Sequence, residues 1–336
     1  MSNSAFPHRI GIIVGLDLIG DALMKLPFLR AVRQAFPAAE VHWITALGKT
    51  AFASVLRDST RELIDVIEEC PPWIRGETVD GAPHFDLLID TRNRWKLARH
   101  ARRIPHGVFI AVALRYLLSD RRPPLFAPNP AHVLDRLLLA VALASGRTPV
   151  GDGALPVDAS LVAVARTLLP EGHVLVGLAT GAGNPVKIWP RERFIALART
   201  QVERGRVPVF VLGPQEADDH VALAAAVPEA RFPLQEYGAW RTRELGIQHT
   251  LAVASLFDVA VANDSGVGHM IAAVDCPLVS LFGPTSATKL APRVRLGRVV
   301  RAQDFGADEM RAIPGAAVER AVDELLAAGV SRRRAP

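Results

Sequence analysis

Short runs of consecutive apolar residues punctuate this chain, and between them apolar positions recur every three or four residues. An unbroken short run fits a strand buried on both faces, and the longer spacing fits a helix covering one face. On that basis Arg9–Val14, Val41–Thr45, Leu63–Ile67, Leu87–Ile89 and Gly107–Ala113 are predicted strands. Gly15–Gly20 is a predicted loop, and Asp21–Phe36 a helix carried by Leu23, Leu26, Leu29, Val32 and Phe36 and ended by Pro37. His132–Ala144 is a second, strongly apolar helix. Gly and Pro crowd Gly146–Pro156, and the domain boundary is placed there, giving units 1–155 and 156–336.

Beyond a helix around Leu161–Leu168 the pattern restarts. His173–Ala179, Pro208–Leu212, Asp258–Ala262 and Leu278–Phe282 are predicted strands, and Arg191–Arg204, Gly266–Val274 and Pro314–Ala328 helices. A basic run, Arg332–Arg334, follows the last of them. Strands alternating with helices imply two α/β units in tandem, each a mostly parallel sheet covered on both faces. In such sheets ligands bind at the carboxyl ends of the strands.

Composition narrows this picture modestly. Half of the 336 residues are hydrophobic and 22% are charged, so packed cores are expected. The net charge of +5 is mild, suited to phosphates or an anionic membrane surface and too small to argue for nucleic acid. Cys70 and Cys276 form no metal motif and no disulfide framework. Met1–His8 lacks the regions of a signal peptide, and no apolar run approaches the ~20 residues that span a bilayer. A protein of a reducing, cytoplasmic compartment is expected, with the inner face of the membrane as a candidate contact.

Four constellations carry candidate chemistry. Gly20-Asp21 opens the first long helix; Asp21 reads either as an N-cap or as a general base kept ionised by the helix dipole, with Asp17 as a weaker competitor. Thr180-Gly181-Ala182-Gly183 leads to Lys187 and Trp189-Pro190. It reads as a plain strand-to-helix loop or as a phosphate cradle with Lys187 on the anion, and it matches neither a Walker nor a three-glycine dinucleotide motif. Asn263-Asp264-Ser265-Gly266-Val267-Gly268-His269 follows an apolar strand. Here a helix start would offer Ser265 and the N–H groups of Gly266 and Val267 to a diphosphate, Asp264 would take sugar or ribose hydroxyls, and His269 would lie one turn in; capping plus a satisfied core histidine is the plain alternative. Arg92, Arg94 and Lys96, with Arg99, Arg102, Arg103 and Trp95, form a solvated helix face or an anion pocket for an acceptor, extended by Arg115, Arg121 and Arg122. The histidines show no metal-ligand spacing.

In this order the motifs resemble glycosyltransferase family nine, the ADP-heptose:lipopolysaccharide heptosyltransferases. The match runs through Ile19-Gly20-Asp21, Leu26-Pro27 and Phe36-Pro37; then Thr180-Gly181-Ala182 and Lys187-Ile188-Trp189-Pro190; then Asn263-Asp264-Ser265-Gly266, His269 and Leu281-Phe282-Gly283-Pro284-Thr285. The resemblance implies an α/β protein of the GT-B fold, two Rossmann-like doubly wound domains facing across a cleft, with an acceptor-side first domain and a nucleotide-sugar-binding second one. It leaves room for the last helix to pack back on the first domain. It implies an inverting, metal-independent transfer of heptose from ADP-heptose to a saccharide hydroxyl in lipopolysaccharide core assembly, without a cofactor.

Asp21 aligns with the proposed base and Lys187 with the phosphate-binding lysine. Asp264, Ser265, Gly266 and His269 fall in the donor site with Thr180 and Gly181, and Glu216 aligns with an acidic residue on the ribose. Arg92, Arg94 and Lys96 are assigned to an anionic glycan or lipid-linked acceptor. Where the family carries a basic residue and hydroxyls before Gly-Asp, this chain has Gly15-Leu16-Asp17-Leu18. The rival readings are a transferase for another nucleotide sugar or acceptor, a non-catalytic nucleotide-sugar-binding protein, and a dehydrogenase, the last opposed by the missing glycine fingerprint after Val14.

Overall fold

The structure, a computed structural model, describes residues 7–75 and 78–333. Most of Met1–His8 and the end of the basic run Arg332–Arg334 lie outside the described residues. The chain divides into two compact units, Met1–Gly153 and Ala154–Pro336.

The first unit holds β1 (Arg9–Asp17), β2 (Glu40–Thr50), β3 (Val66–Glu69), β4 (Phe85–Asp90) and β5 (His106–Ala111) in the order β3-β2-β1-β4-β5. Every pairing is parallel. Central β1 explains its own position: Ile10, Ile12, Ile13 and Val14 are wholly buried, as a strand covered on both faces requires. The helix Ile19–Ala35 packs against Val133–Ser145.

Two boundaries differ from the sequence pattern. β1 continues to Asp17, and the helix begins at Ile19, where a loop is expected over Gly15–Gly20. The reason is the partner strand: β2 runs on to Thr50, pairing Leu16 with Leu47 and, after a register shift, Asp17 with Thr50. β3 begins at Val66, because Leu63 and Ile64 donate to the Thr60 carbonyl and close a helical turn instead.

The second unit holds β6 (Leu175–Ala179), β7 (Val207–Phe210), β8 (Val259–Asn263), β9 (Leu278–Phe282) and β10 (Gly297–Arg301) in the order β10-β9-β8-β6-β7, again all parallel. Its faces carry separate cores. One gathers Trp189, Phe194, Phe210 and Val318 beneath the helices Arg191–Glu203 and Gly315–Arg333. The other gathers Leu161, Ala252, Phe257 and Ile271 beneath Ala159–Thr167, Arg243–Ala254 and Gly266–Ala273. The last helix therefore lies on the second sheet, against β8, β9 and β10. Edge strand β10 is mostly exposed, and its Gly-Arg-Val-Val-Arg sequence has no apolar run to announce it.

Candidate active site

In the first unit, β1 ends in a carboxylate cluster. Asp17 is fully buried. Its Oδ1 accepts from Lys25 Nζ at 2.7 Å, and its Oδ2 from Trp43 Nε1 at 2.9 Å and Thr50 Oγ1 at 2.6 Å. A buried carboxylate supplied with three donors, one of them charged, is a structural anchor. Lys25 also reaches the Asp21 carbonyl at 3.0 Å, so one ammonium joins the strand end to the first helical turn.

Asp21 stands in that turn with its side chain exposed. It is not the N-cap: Leu18 holds that position, without a side-chain cap. The protein crowding its carboxyl raises the pKa above the ordinary value, against the pull of Lys25 and with a smaller push from Asp17. Desolvation thus opposes the helix dipole at this carboxyl, a contribution that the sequence alone does not reveal. A base with a raised pKa binds a proton more readily, which suits proton abstraction near neutral pH.

Leu16, Leu18 and Leu47 flank this strand end and are half-exposed, an apolar rim the sequence reading does not identify. Farther along the same end of the sheet, Arg92 is committed to Asp90. Its Nε and Nη2 bridge the buried carboxylate at 2.8 and 3.0 Å, and its own N–H donates to Asp90 Oδ1. Arg94 and Lys96 are exposed, Lys96 lying 5.8 Å from the Trp95 ring centre.

In the second unit, three neighbouring strands deliver their loops to one place. Asn263, the last residue of β8, ties two of them: its Oδ1 accepts from the Trp189 N–H at 3.1 Å and its Nδ2 donates to the Thr180 carbonyl at 2.8 Å. Trp189 is itself locked, wholly buried, edge-on to Phe194 and donating from Nε1 to the Ile313 carbonyl. Asp264 ties the third loop. Its Oδ2 accepts from Lys187 Nζ and from Thr285 Oγ1, both at 2.7 Å. Gly283 fits because a Cβ there would stand 2.9 Å from the Asp308 carbonyl oxygen and 2.7 Å from Met310 Sδ.

Ser265 caps the helix Gly266–Ala273, its Oγ accepting from the Gly268 N–H at 3.3 Å. The N–H groups of Gly266 and Val267 precede the first intrahelical bond, and His269 sits half-buried one turn in. Glu216 closes the other side. Its Oε2 accepts from the Gly213 N–H at 3.0 Å, and a Cβ on Gly181 would fall 2.3 Å from its Oε1. Burial raises the Glu216 pKa; the Gly213 N–H opposes this. Thr180 is buried, and its hydroxyl has no hydrogen-bond partner among the described residues.

Thr180, Gly181, Glu216, Lys187, Asp264, Ser265 and Gly266 are therefore brought together. Asp264 is engaged by Lys187 and Thr285, a pairing not anticipated from sequence. The bolting by Asn263 and the donation from Thr285 were hidden inside motifs that only named them. The Asp17 cluster had one local signal, Lys25 one helical turn after Asp21, with Asp17 just before the helix at the end of β1. Nothing local announced Trp43 and Thr50, which strand register supplies.

Two parallel sheets, each wrapped by helices, define a protein of the GT-B class, built from two Rossmann-like units. A family model described as glycosyltransferase family 9 (heptosyltransferase) matches residues 81–312, and the chain belongs to that family. It is 30% identical over 134 residues to lipopolysaccharide heptosyltransferase 2 of Salmonella typhimurium, an alignment covering 40% of this chain and 38% of that protein. The chain thus spans about two fifths of the length of the first curated relatives it matches. Lipooligosaccharide heptosyltransferase 2 of Haemophilus ducreyi is 26% identical over 89% of this chain and 90% of its own length. Among solved structures, the ADP-heptose LPS heptosyltransferase II of E. coli superposes with a TM-score of 0.65 at 21% identity, covering 95% of this chain and 99% of that one.

Proposed function

We propose that this protein transfers a heptose from ADP-heptose to a hydroxyl of an acceptor saccharide in lipopolysaccharide core assembly, with inversion and without a metal. The observation that carries the reading is the loop cluster at the carboxyl ends of β6, β8 and β9. There a lysine, a capped helix start and a buried, unsatisfied threonine hydroxyl are held in register by Asn263 and Asp264. A nucleoside diphosphate fits that chemistry. Lys187 has three ammonium protons and spends one on Asp264. Ser265 accepts a capping bond and keeps its own O–H to donate. With the N–H groups of Gly266 and Val267, these donors stabilise the charge that grows on the leaving diphosphate. Glu216, beside Gly181 and Gly213, is suited to a ribose hydroxyl.

In the first unit, Asp21 takes the proton of the attacking hydroxyl as the bond to the anomeric carbon forms. Asp17 and Lys25 position its turn and touch no substrate. Arg94 and Lys96 supply positive charge for an anionic or lipid-linked acceptor. The names of the family and of its relatives support heptose as the sugar and ADP as the nucleotide.

A second reading keeps the reaction and changes the acceptor. It is favoured by half-exposed Leu16, Leu18 and Leu47 at the strand end, where an apolar face of an acceptor would find contact. A panel of ADP- and UDP-linked sugars, read by thermal shift and then by transfer, tests the proposal. ADP-heptose is expected to raise the melting temperature and UDP-sugars to leave it unchanged. Stabilisation by UDP-sugars alone would reject the donor assignment.

A further inference from the structure

We infer that the β5 edge of the first sheet is a docking surface for an anionic lipid bilayer. The proposal stands apart from the transferase reading, because bilayer binding is measured without turnover. Between Asp90 and Ala131 the chain carries nine Lys and Arg residues against two acids, Asp90, which holds buried Arg92, and Asp120, a surplus still greater than the +5 of the whole protein. The positive charge is therefore concentrated in the segments following β4 and β5.

Those segments lie together. β4 and β5 are parallel neighbours at one edge, so both chains leave from the same end of the sheet. Arg102 donates to the Leu118 carbonyl at 2.7 Å and pairs with Asp120 at 2.5 Å. The returning chain then covers the open edge of β5: Ser119 Oγ accepts from the Ala111 N–H, and Asp120 Oδ2 from the Phe109 N–H. Arg115 reaches across to the Ala127 carbonyl at 3.2 Å.

Apolar side chains stand among these charges with nothing of their own chain to cover them. Phe126 is 93% exposed and Leu125 86%, and Leu117, Leu114 and Trp95 are about half-exposed. The turn that presents Leu114 is held against its preference: Leu114, Arg115 and Tyr116 all have positive φ, at 49°, 56° and 66°. The wholly buried Tyr116, whose hydroxyl donates to the Arg136 carbonyl, pins it there. Basic residues interleaved with protruding Phe, Leu and Trp fit an interface of phosphate headgroups and acyl chains. A soluble anionic glycan would satisfy the arginines and leave Leu125 and Phe126 in water. No helix among the described residues is long and apolar enough to cross a membrane. The patch opens from the same end of the sheet as Asp21, which would bring a lipid-anchored saccharide to that end.

Co-sedimentation of the full chain with vesicles tests this. Vesicles of phosphatidylcholine containing about one third phosphatidylglycerol should retain the protein, pure phosphatidylcholine should not, and about 0.5 M NaCl should release it. The pair Leu125→Ser and Phe126→Ser should lower partitioning about tenfold or more. An unchanged melting temperature is expected for it, since neither side chain is packed. Each of Arg121→Gln and Arg122→Gln should cost about fivefold. Equal binding to neutral and anionic vesicles, absence of binding to either, or wild-type binding by the double serine variant would overturn the proposal.

Discussion

At the carboxyl end of the first sheet the deepest carboxylate, Asp17, is closed off by Lys25, Trp43 and Thr50, while Asp21 one turn away stays exposed. At the carboxyl end of the second sheet the buried carboxylate, Asp264, holds a lysine and a threonine that themselves remain within reach of solvent. The same residue type does opposite work. In one unit it is buried to fix a turn and leave a neighbouring carboxylate exposed. In the other it organises cationic and hydroxyl donors for an anion. On the proposed function, proton transfer and leaving-group stabilisation fall to different units, and each can be damaged without the other.

The largest expected effect comes from Asp21→Asn, which should lower turnover by about 10²–10⁴-fold, the range of a lost general base. In the wild type, the raised pKa of Asp21 places the acid limb of kcat/KM above the 3.8 of an ordinary aspartate, because below its pKa the protonated carboxyl accepts nothing. A variant with near-normal turnover would remove Asp21 from this role. Next comes Lys25→Ala, which leaves Asp17 buried beside only neutral donors and should cost about 3–5 kcal/mol of stability in urea unfolding. A loss under about 1 kcal/mol, the range of an exposed pair, would show that Asp17 is not anchored by charge.

Gly181→Ala should act in the second unit alone. Its Cβ would displace the Glu216 carboxylate from the Gly213 N–H, costing about 1–3 kcal/mol and appearing chiefly as weaker ADP binding. Unaltered affinity would place the ribose elsewhere. The smallest effect is expected at the far, amino end of the first sheet, where His42 lies 3.1 Å from both Glu40 and Glu68. Burial would lower its pKa, but the bonds from Glu68 and Glu40 together raise it above 6.5. The pairing therefore stabilises fully below that value and is lost as pH rises through the raised one. The stability difference between wild type and His42→Gln should shrink from pH about 6 to about 8. A constant difference would contradict the charged pairing.

Much of the architecture was legible in the sequence because buried parallel strands announce themselves as apolar runs. Leu278–Phe282 was located to the residue, the strand ending at Asn263 within one residue at each end, and the strand ending at Ala179 within two. Elements set by distant partners were not legible. The extension of β1 to Asp17 depends on β2, and the exposed β10 depends on β9. The helix Arg243–Ala254 was missed because it is buried nearly all round, with His249 and Thr250 inside, so it shows no amphipathic stripe. At the site, the motif residues were readable as types, but their pairings were not. Asp264 could be named as a carboxylate near phosphates; that Lys187 and Thr285 share one of its oxygens follows only from three loops meeting.

The division of labour is tested most directly by calorimetric titration of ADP into the wild type, Asp21→Asn and Lys187→Ala. Wild-type affinity is expected for Asp21→Asn and, for Lys187→Ala, about tenfold weaker binding or more, as befits a lost hydrogen bond from a charged group. Loss of ADP binding by Asp21→Asn, or undiminished binding by Lys187→Ala, would contradict it.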